Sequence, residues 1–97
     1  GFLGITPVNL TPSIVGQWDL PVTKGILVQR VISGTAAHDS GIRIGDVIVK
    51  MDQEPIYNTG DMSKFLIAHG PGGKIEIVLY RGEEKILLEI TLTSRPR

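Results

Sequence analysis

Twelve glycines and six prolines punctuate a chain of 97 residues. Residues that free or fix the backbone at this density cut a chain into short elements joined by turns, which excludes a helical bundle. The length allows one small domain with one core. Apolar residues make up 41% of the chain and charged residues 21%, so burial can offset chain entropy and the chain is expected to fold. Ten basic and ten acidic residues cancel. That removes the field on which phosphate-backbone binding depends, so nucleic acid is not an expected partner. No apolar run reaches the roughly 20 residues that cross a bilayer, and no signal-peptide pattern opens the sequence. Without cysteine there is neither a disulfide nor a thiolate metal site, and the compartment stays open.

The order of elements can be read from the punctuation. Residues 1–8 are apolar and β-prone, and Pro7, which has no N–H, suits a strand with a free edge. Thr11-Pro12 is an N-cap followed by proline at the first helical position. It predicts a short helix within residues 10–21, with Ile14, Val15 and Trp18 as its apolar face. Residues 25–32 read as a strand, 36–40 as a helical turn closed by Gly41, and 47–51 as a second strand. A very short strand is expected at Ile56-Tyr57. A helix capped by Asn58, Thr59 or Asp61 then runs to about His69, where Gly70-Pro71-Gly72-Gly73 stops it. Two long strands, 74–81 and 85–93, end the domain as a hairpin. The expected class is mixed α+β and mostly β: a partly open five- to six-stranded barrel or sandwich capped by two or three helices. Residues 1–93 form a single folded domain on this reading, and 94–97 a tail or linker stub.

Catalytic chemistry finds little support. His38 and His69 are the two histidines, and no Gly-x-Ser-x-Gly turn presents a nucleophile. Asp39, Asp46, Asp52 and Glu54 are too dispersed for a calcium loop, and two distant histidines do not make a zinc site. No catalytic residue, metal or cofactor is therefore expected. What remains is Phe2-Leu3-Gly4-Ile5, in which apolar residues flank one glycine at the start of a strand. A turn of this kind can aim successive N–H groups outward and capture a carboxylate without a basic side chain.

The strings that follow carry a family resemblance. Gly25-Ile26-Leu27-Val28, Gly34-Thr35-Ala36-Ala37 and Gly41-Ile42-Arg43-Ile44-Gly45-Asp46-Val47-Ile48, placed after Phe2-Leu3-Gly4-Ile5, resemble a PDZ domain over essentially the whole chain. The 10–21 insert resembles that of the HtrA/Deg serine proteases of bacteria. The resemblance implies a binding module, with the serine protease domain elsewhere in a longer protein of the periplasm or cell envelope. Its implied partners are the C-terminal peptides of unfolded or regulatory proteins, together with the attached protease domain. A PDZ module of an intramembrane metalloprotease or secretion component, or a scaffold-type interaction domain, is the alternative.

By the same resemblance the amides of Leu3, Gly4 and Ile5 hold the terminal carboxylate, and the following strand pairs with the ligand. Phe2, Thr6 and Val8 line the groove from one side. Counting the helix backwards from Gly72-Gly73 puts Asp61, Phe65, Ala68 and His69 on the other, with Met62 and Leu66 towards the core. Gly4 is expected to leave room for the ligand. Two positions depart from the family pattern. Thr35 replaces the usual proline, which is expected to loosen its turn, and Gln53 replaces a glycine, so that turn is expected to change geometry.

Overall fold

The computed structural model describes residues 3–70 and 72–92. Its elements are β1 (Ile5–Asn9), α1 (Pro12–Trp18), β2 (Ile26–Val31), α2 (Ala36–Ser40), β3 (Val47–Met51), β4 (Glu54–Pro55), α3 (Thr59–Ala68), β5 (Lys74–Arg81) and β6 (Glu84–Thr91). The strands form one antiparallel sheet in the order β1-β2-β3-β5-β6, with β4 paired to β3. The expected class holds: mostly β, with six strands in an open sheet and three helices among the described residues.

Period-two alternation builds the core. Ile75, Ile77 and Leu79 of β5 are buried, and so are Ile90 of β6 and the following Leu92. Met62 and Phe65 close the core from α3, and Leu3, Ala36 and Ala37 close it beside α2. Such burial stabilises by about 1.5–3 kcal/mol per large side chain, which is the term that holds so small a domain together. α1 differs. Thr11 caps it as expected, its Oγ1 accepting from Ile14 N–H, but no residue of α1 is buried and Trp18 is 50% exposed.

Two departures from expectation share one turn. The short strand is Glu54–Pro55 rather than Ile56-Tyr57, because Met51 pairs directly with Glu54 across a two-residue loop. Both loop residues, Asp52 (φ 49) and Gln53 (φ 69), are left-handed, as a tight antiparallel hairpin of this twist requires. Gln53 thus takes the glycine conformation instead of changing the turn. Asp52 anchors it: its N–H donates to the Glu76 carbonyl (2.8 Å) and its Oδ1 accepts from Glu76 N–H (2.7 Å). A non-glycine residue in this region costs roughly 1 kcal/mol. Gln53→Gly is therefore expected to raise stability by about 1 kcal/mol, or some 4–8 °C in Tm for a domain of this size. A thermal melt that is unchanged or lower would contradict this.

Thr35 does not loosen its turn either. It is buried, its hydroxyl donates to the Ile32 carbonyl (2.7 Å), and its Oγ1 accepts from His38 N–H as the N-cap of α2.

Candidate functional site

The site begins with two carbonyls that turn inward. Leu3 C=O accepts from Ala37 N–H and Gly4 C=O from Ile32 N–H, each at 2.9 Å. In a trans peptide the N–H of the next residue points the opposite way from the carbonyl. The N–H groups of Gly4 and Ile5 therefore face outward, and Gly4 N–H meets no acceptor among the described residues. Gly4 reaches this arrangement at φ +97. A Cβ there would overlap the side chain of Thr35. The glycine is thus required by packing against the α2 cap, and not only by ligand approach as the sequence led us to expect.

β1 continues the edge. Among the described residues it pairs only with β2, through Ile5↔Val31, Thr6↔Arg30 and, after a bulge, Pro7↔Val28. Val28 spends both backbone groups on the far side: its N–H donates to the Asp46 carbonyl (2.8 Å) and its C=O accepts from Gly45 N–H (2.9 Å). Pro7, opposite Val28, consequently turns its backbone away from β2. In an antiparallel ladder such positions alternate, so Ile5, Pro7 and Asn9 all present backbone to the open edge. Proline is tolerated at the middle of the three because its missing N–H breaks no ladder bond.

Side chains alternate as well. Ile5 packs against the core, so Pro7 and Asn9 share its face, and Thr6 and Val8 lie on the opposite face of β1. Phe2 lies outside the described residues. The α3 residues expected in the groove do come together, but elsewhere. Asp61, Phe65, Ala68 and His69 line a cleft of about 330 Å³ with residues 54–57, to which β1 contributes nothing. Phe65 is 3% exposed and belongs to the core, with the His69 ring stacked on it at 3.9 Å. Because a carbonyl only accepts, His69 Nδ1 carries the hydrogen in its 2.8 Å bond to the Phe65 carbonyl.

The end of α3 beside β1 is marked by another contact, in which Thr59 N–H donates to Asn9 Oδ1 at 2.7 Å. At 100° per residue, Thr59 shares a face with Ser63 and Leu66 rather than with Asp61 and Ala68. Met62 and Leu66 do lie towards the core, as the counting placed them, and Phe65 joins them there. Asn9 was missed because no local pattern announces a contact between residues fifty apart.

A network outside the edge holds it in place. Asp46 is 1% exposed. Its carboxylate accepts from Arg81 Nε (2.9 Å), Arg81 Nη2 (2.8 Å) and Arg43 N–H (2.8 Å), while Arg81 Nη2 also donates to the Gly41 carbonyl (2.9 Å). The hydrogen bonds to Asp46 hold the Arg81 guanidinium above its usual pKa, so it stays charged. α2 is a strut between this pair, at Gly41, and the Leu3 carbonyl, at Ala37.

The sequence matches the PDZ domain family model over residues 1–92. It is 26% identical to the periplasmic pH-dependent serine endoprotease DegQ of Escherichia coli K12, a match over 97% of this chain and 21% of that protein. It is 31% identical to the mitochondrial serine protease HTRA2 of Drosophila erecta, over 93% of this chain and 22% of that protein. The chain therefore spans about a fifth of the length of either enzyme. Among solved structures, the HtrA3 PDZ domain bound to a phage-derived ligand superposes with a TM-score of 0.81 at 29% identity, covering 93% of this chain and 82% of that one. An open β1 edge headed by outward amides, the three-helix arrangement around it and the match along nearly every residue lead to one conclusion: the chain belongs to the PDZ domain family.

Proposed function

We propose that this domain captures the C-terminal carboxylate of a peptide and adds that peptide as a strand to the β1 edge, within a longer serine endopeptidase of the HtrA type. The observation that carries the reading is the outward pair of N–H groups at Gly4 and Ile5, continuous with an edge strand that has no second neighbour among the described residues. Leu3 N–H completes the carboxylate cradle. The Ile5 and Pro7 carbonyls accept from the ligand backbone, as in strand addition generally. Ile5, with Leu66 towards the carboxyl end of the α3 face it shares with Thr59 and Ser63, borders the pocket for the last side chain, which favours a small or medium apolar residue.

Attachment to a protease domain is supported by the serine proteases that the chain resembles. The periplasmic relative supports a place in the bacterial cell envelope, and the mitochondrial one shows that similar domains also serve elsewhere. Unfolded or regulatory proteins with apolar ends are the substrates proposed.

The contact is short, so micromolar affinity is expected, about −8 kcal/mol or weaker. Hydrogen bonds to a charged group contribute about 1.5–3 kcal/mol. A peptide ending in valine should therefore lose about tenfold or more in affinity when amidated. Calorimetric titration of both forms tests this, and equal affinities would sink the proposal.

A further inference from the structure

The sheet has a second edge. β6 ends the strand order that β1 begins, and among the described residues it pairs only with β5. Leu92 N–H donates to the Gly73 carbonyl (2.9 Å) and Leu92 C=O accepts from Gly72 N–H (2.8 Å), so both its backbone groups face the β5 side. Glu76, which lies opposite Glu89, spends its N–H and C=O on Asp52, away from β6. Alternation in an antiparallel ladder therefore turns the backbone of Lys85, Leu87, Glu89 and Thr91 towards the open edge. All of these are exposed, while Ile86, Leu88 and Ile90 between them face the core that α2 also joins through Ala36 and Ala37. An edge of this kind is a template for another strand.

We infer that β6 pairs antiparallel with β6 of a second copy of this chain, joining the two sheets through a two-fold axis at Leu87. Charge selects both partner and register. Centring the pair on Leu87 sets each Lys85 opposite Glu89 of the other copy. Centring it on Lys85 or Glu89 opposes like charges, and the shifts in between set Leu87 opposite Lys85 or Glu89. The single chain leaves these charges poorly matched. Glu89 stands directly opposite Glu76 on β5, an unfavourable pairing of like charges, and its contact with Lys74 is long, at 3.9 Å, and exposed. Lys85 stands opposite Tyr80 and has no ion pair among the described residues. In the pair, Lys85 of one copy flanks Glu89 of the other on the side away from Glu76. Leu87 lies opposite Val78, so an apolar row runs from Val78 across both Leu87 side chains to the second Val78. The interface is isologous, so it closes as a dimer. It uses no backbone group of β1, which leaves a peptide edge on each copy.

One strand edge makes a small interface, so a weak dimer is expected, with Kd on the order of 0.1 mM. Sedimentation equilibrium of the 97-residue chain over roughly 0.02–1 mM should show the mean mass rising from monomer towards dimer. A mass that stays monomeric throughout overturns the inference. Lys85→Glu alone and Glu89→Lys alone each oppose like charges across the axis and should weaken association about tenfold or more. Mixed in equal amounts, the two variants regain opposite charges at every position and should associate at least as well as the wild type. Wild-type association by either variant alone, or a mixture that associates no better than its components, assigns the contact to another surface and overturns the pairing. Both positions are exposed, so both variants are expected to melt cooperatively. If one fails to fold, the doubly reversed chain (Lys85→Glu with Glu89→Lys) should still self-associate, and Leu87→Lys, which brings two lysines together at the axis, should not. The opposite result for either chain sinks the proposal.

Discussion

Gly4→Val is expected to destabilise the domain by about 3 kcal/mol or more, with peptide binding lost as a consequence rather than as the primary defect. A side chain at φ +97 costs of the order of 1–3 kcal/mol, and β-branching makes that conformation harder to reach. The added atoms also overlap Thr35, and overpacking of this kind costs about 1–3 kcal/mol. Thr35 cannot yield freely, because its hydroxyl is bonded to the Ile32 carbonyl and caps α2. Against a total of roughly 5–15 kcal/mol for a native domain, this is a large loss, some 12–24 °C in Tm. A double-mutant cycle separates the causes. Thr35→Ala alone should cost about 1 kcal/mol as a lost cap, and Gly4→Ala combined with Thr35→Ala should cost less than the sum of the two. A Gly4→Val protein that melts like the wild type yet fails to bind would return Gly4 to a role in ligand approach alone.

That example also marks where the sequence stops being readable. Turn signals and alternation located nearly every element, because glycine boundaries, the Thr11-Pro12 cap and the 75–77–79 spacing act within a few residues. The reason for Gly4 lies at Thr35, thirty-one positions away, and only the fold brings them together. The helix face was legible only in part, for a related reason. Periodicity shows that Met62, Phe65 and Leu66 share an apolar side, but its rotation relative to β1 depends on how residues 69–73 are spent. α1 makes the same point from the opposite direction. Ile14, Val15 and Trp18 have the spacing of a packed helix, yet none is buried, since amphipathic spacing specifies a face and not a partner. The outward amides of Gly4 and Ile5 were legible because they are consecutive backbone groups. The Asn9 bond to Thr59 was not, because it depends on two distant ends meeting.

Arg81→Ala is expected to cost about 3–5 kcal/mol, the range for removing one partner of a buried ion pair, and to weaken peptide binding at a distance. The asymmetry of the pair explains the size. The Arg81 side chain is 32% exposed, whereas that of Asp46 is 2% exposed. Deleting the arginine therefore strands a carboxylate that cannot turn to water and retains only Arg43 N–H. Asp46→Asn strands a guanidinium on a long stem that can reach solvent, so it should cost less. Arg81→Lys keeps the charge but loses the two-pronged geometry, and should fall between Arg81→Ala and the wild type. The effect on the edge follows from connectivity. Asp46 and Gly45 hold both backbone groups of Val28, and Val28 is the residue whose orientation turns Pro7 outward. Arg81 also fixes the Gly41 end of α2, whose other end holds the Leu3 carbonyl. Urea unfolding should give the order Arg81→Ala below Asp46→Asn below wild type. At a urea-free temperature well below its Tm, folded Arg81→Ala should bind the valine-ending peptide more weakly than Gln53→Gly, which lies outside this network. Wild-type stability within 1 kcal/mol for Arg81→Ala, or wild-type affinity in its folded state, would show that the ion pair does not support the edge.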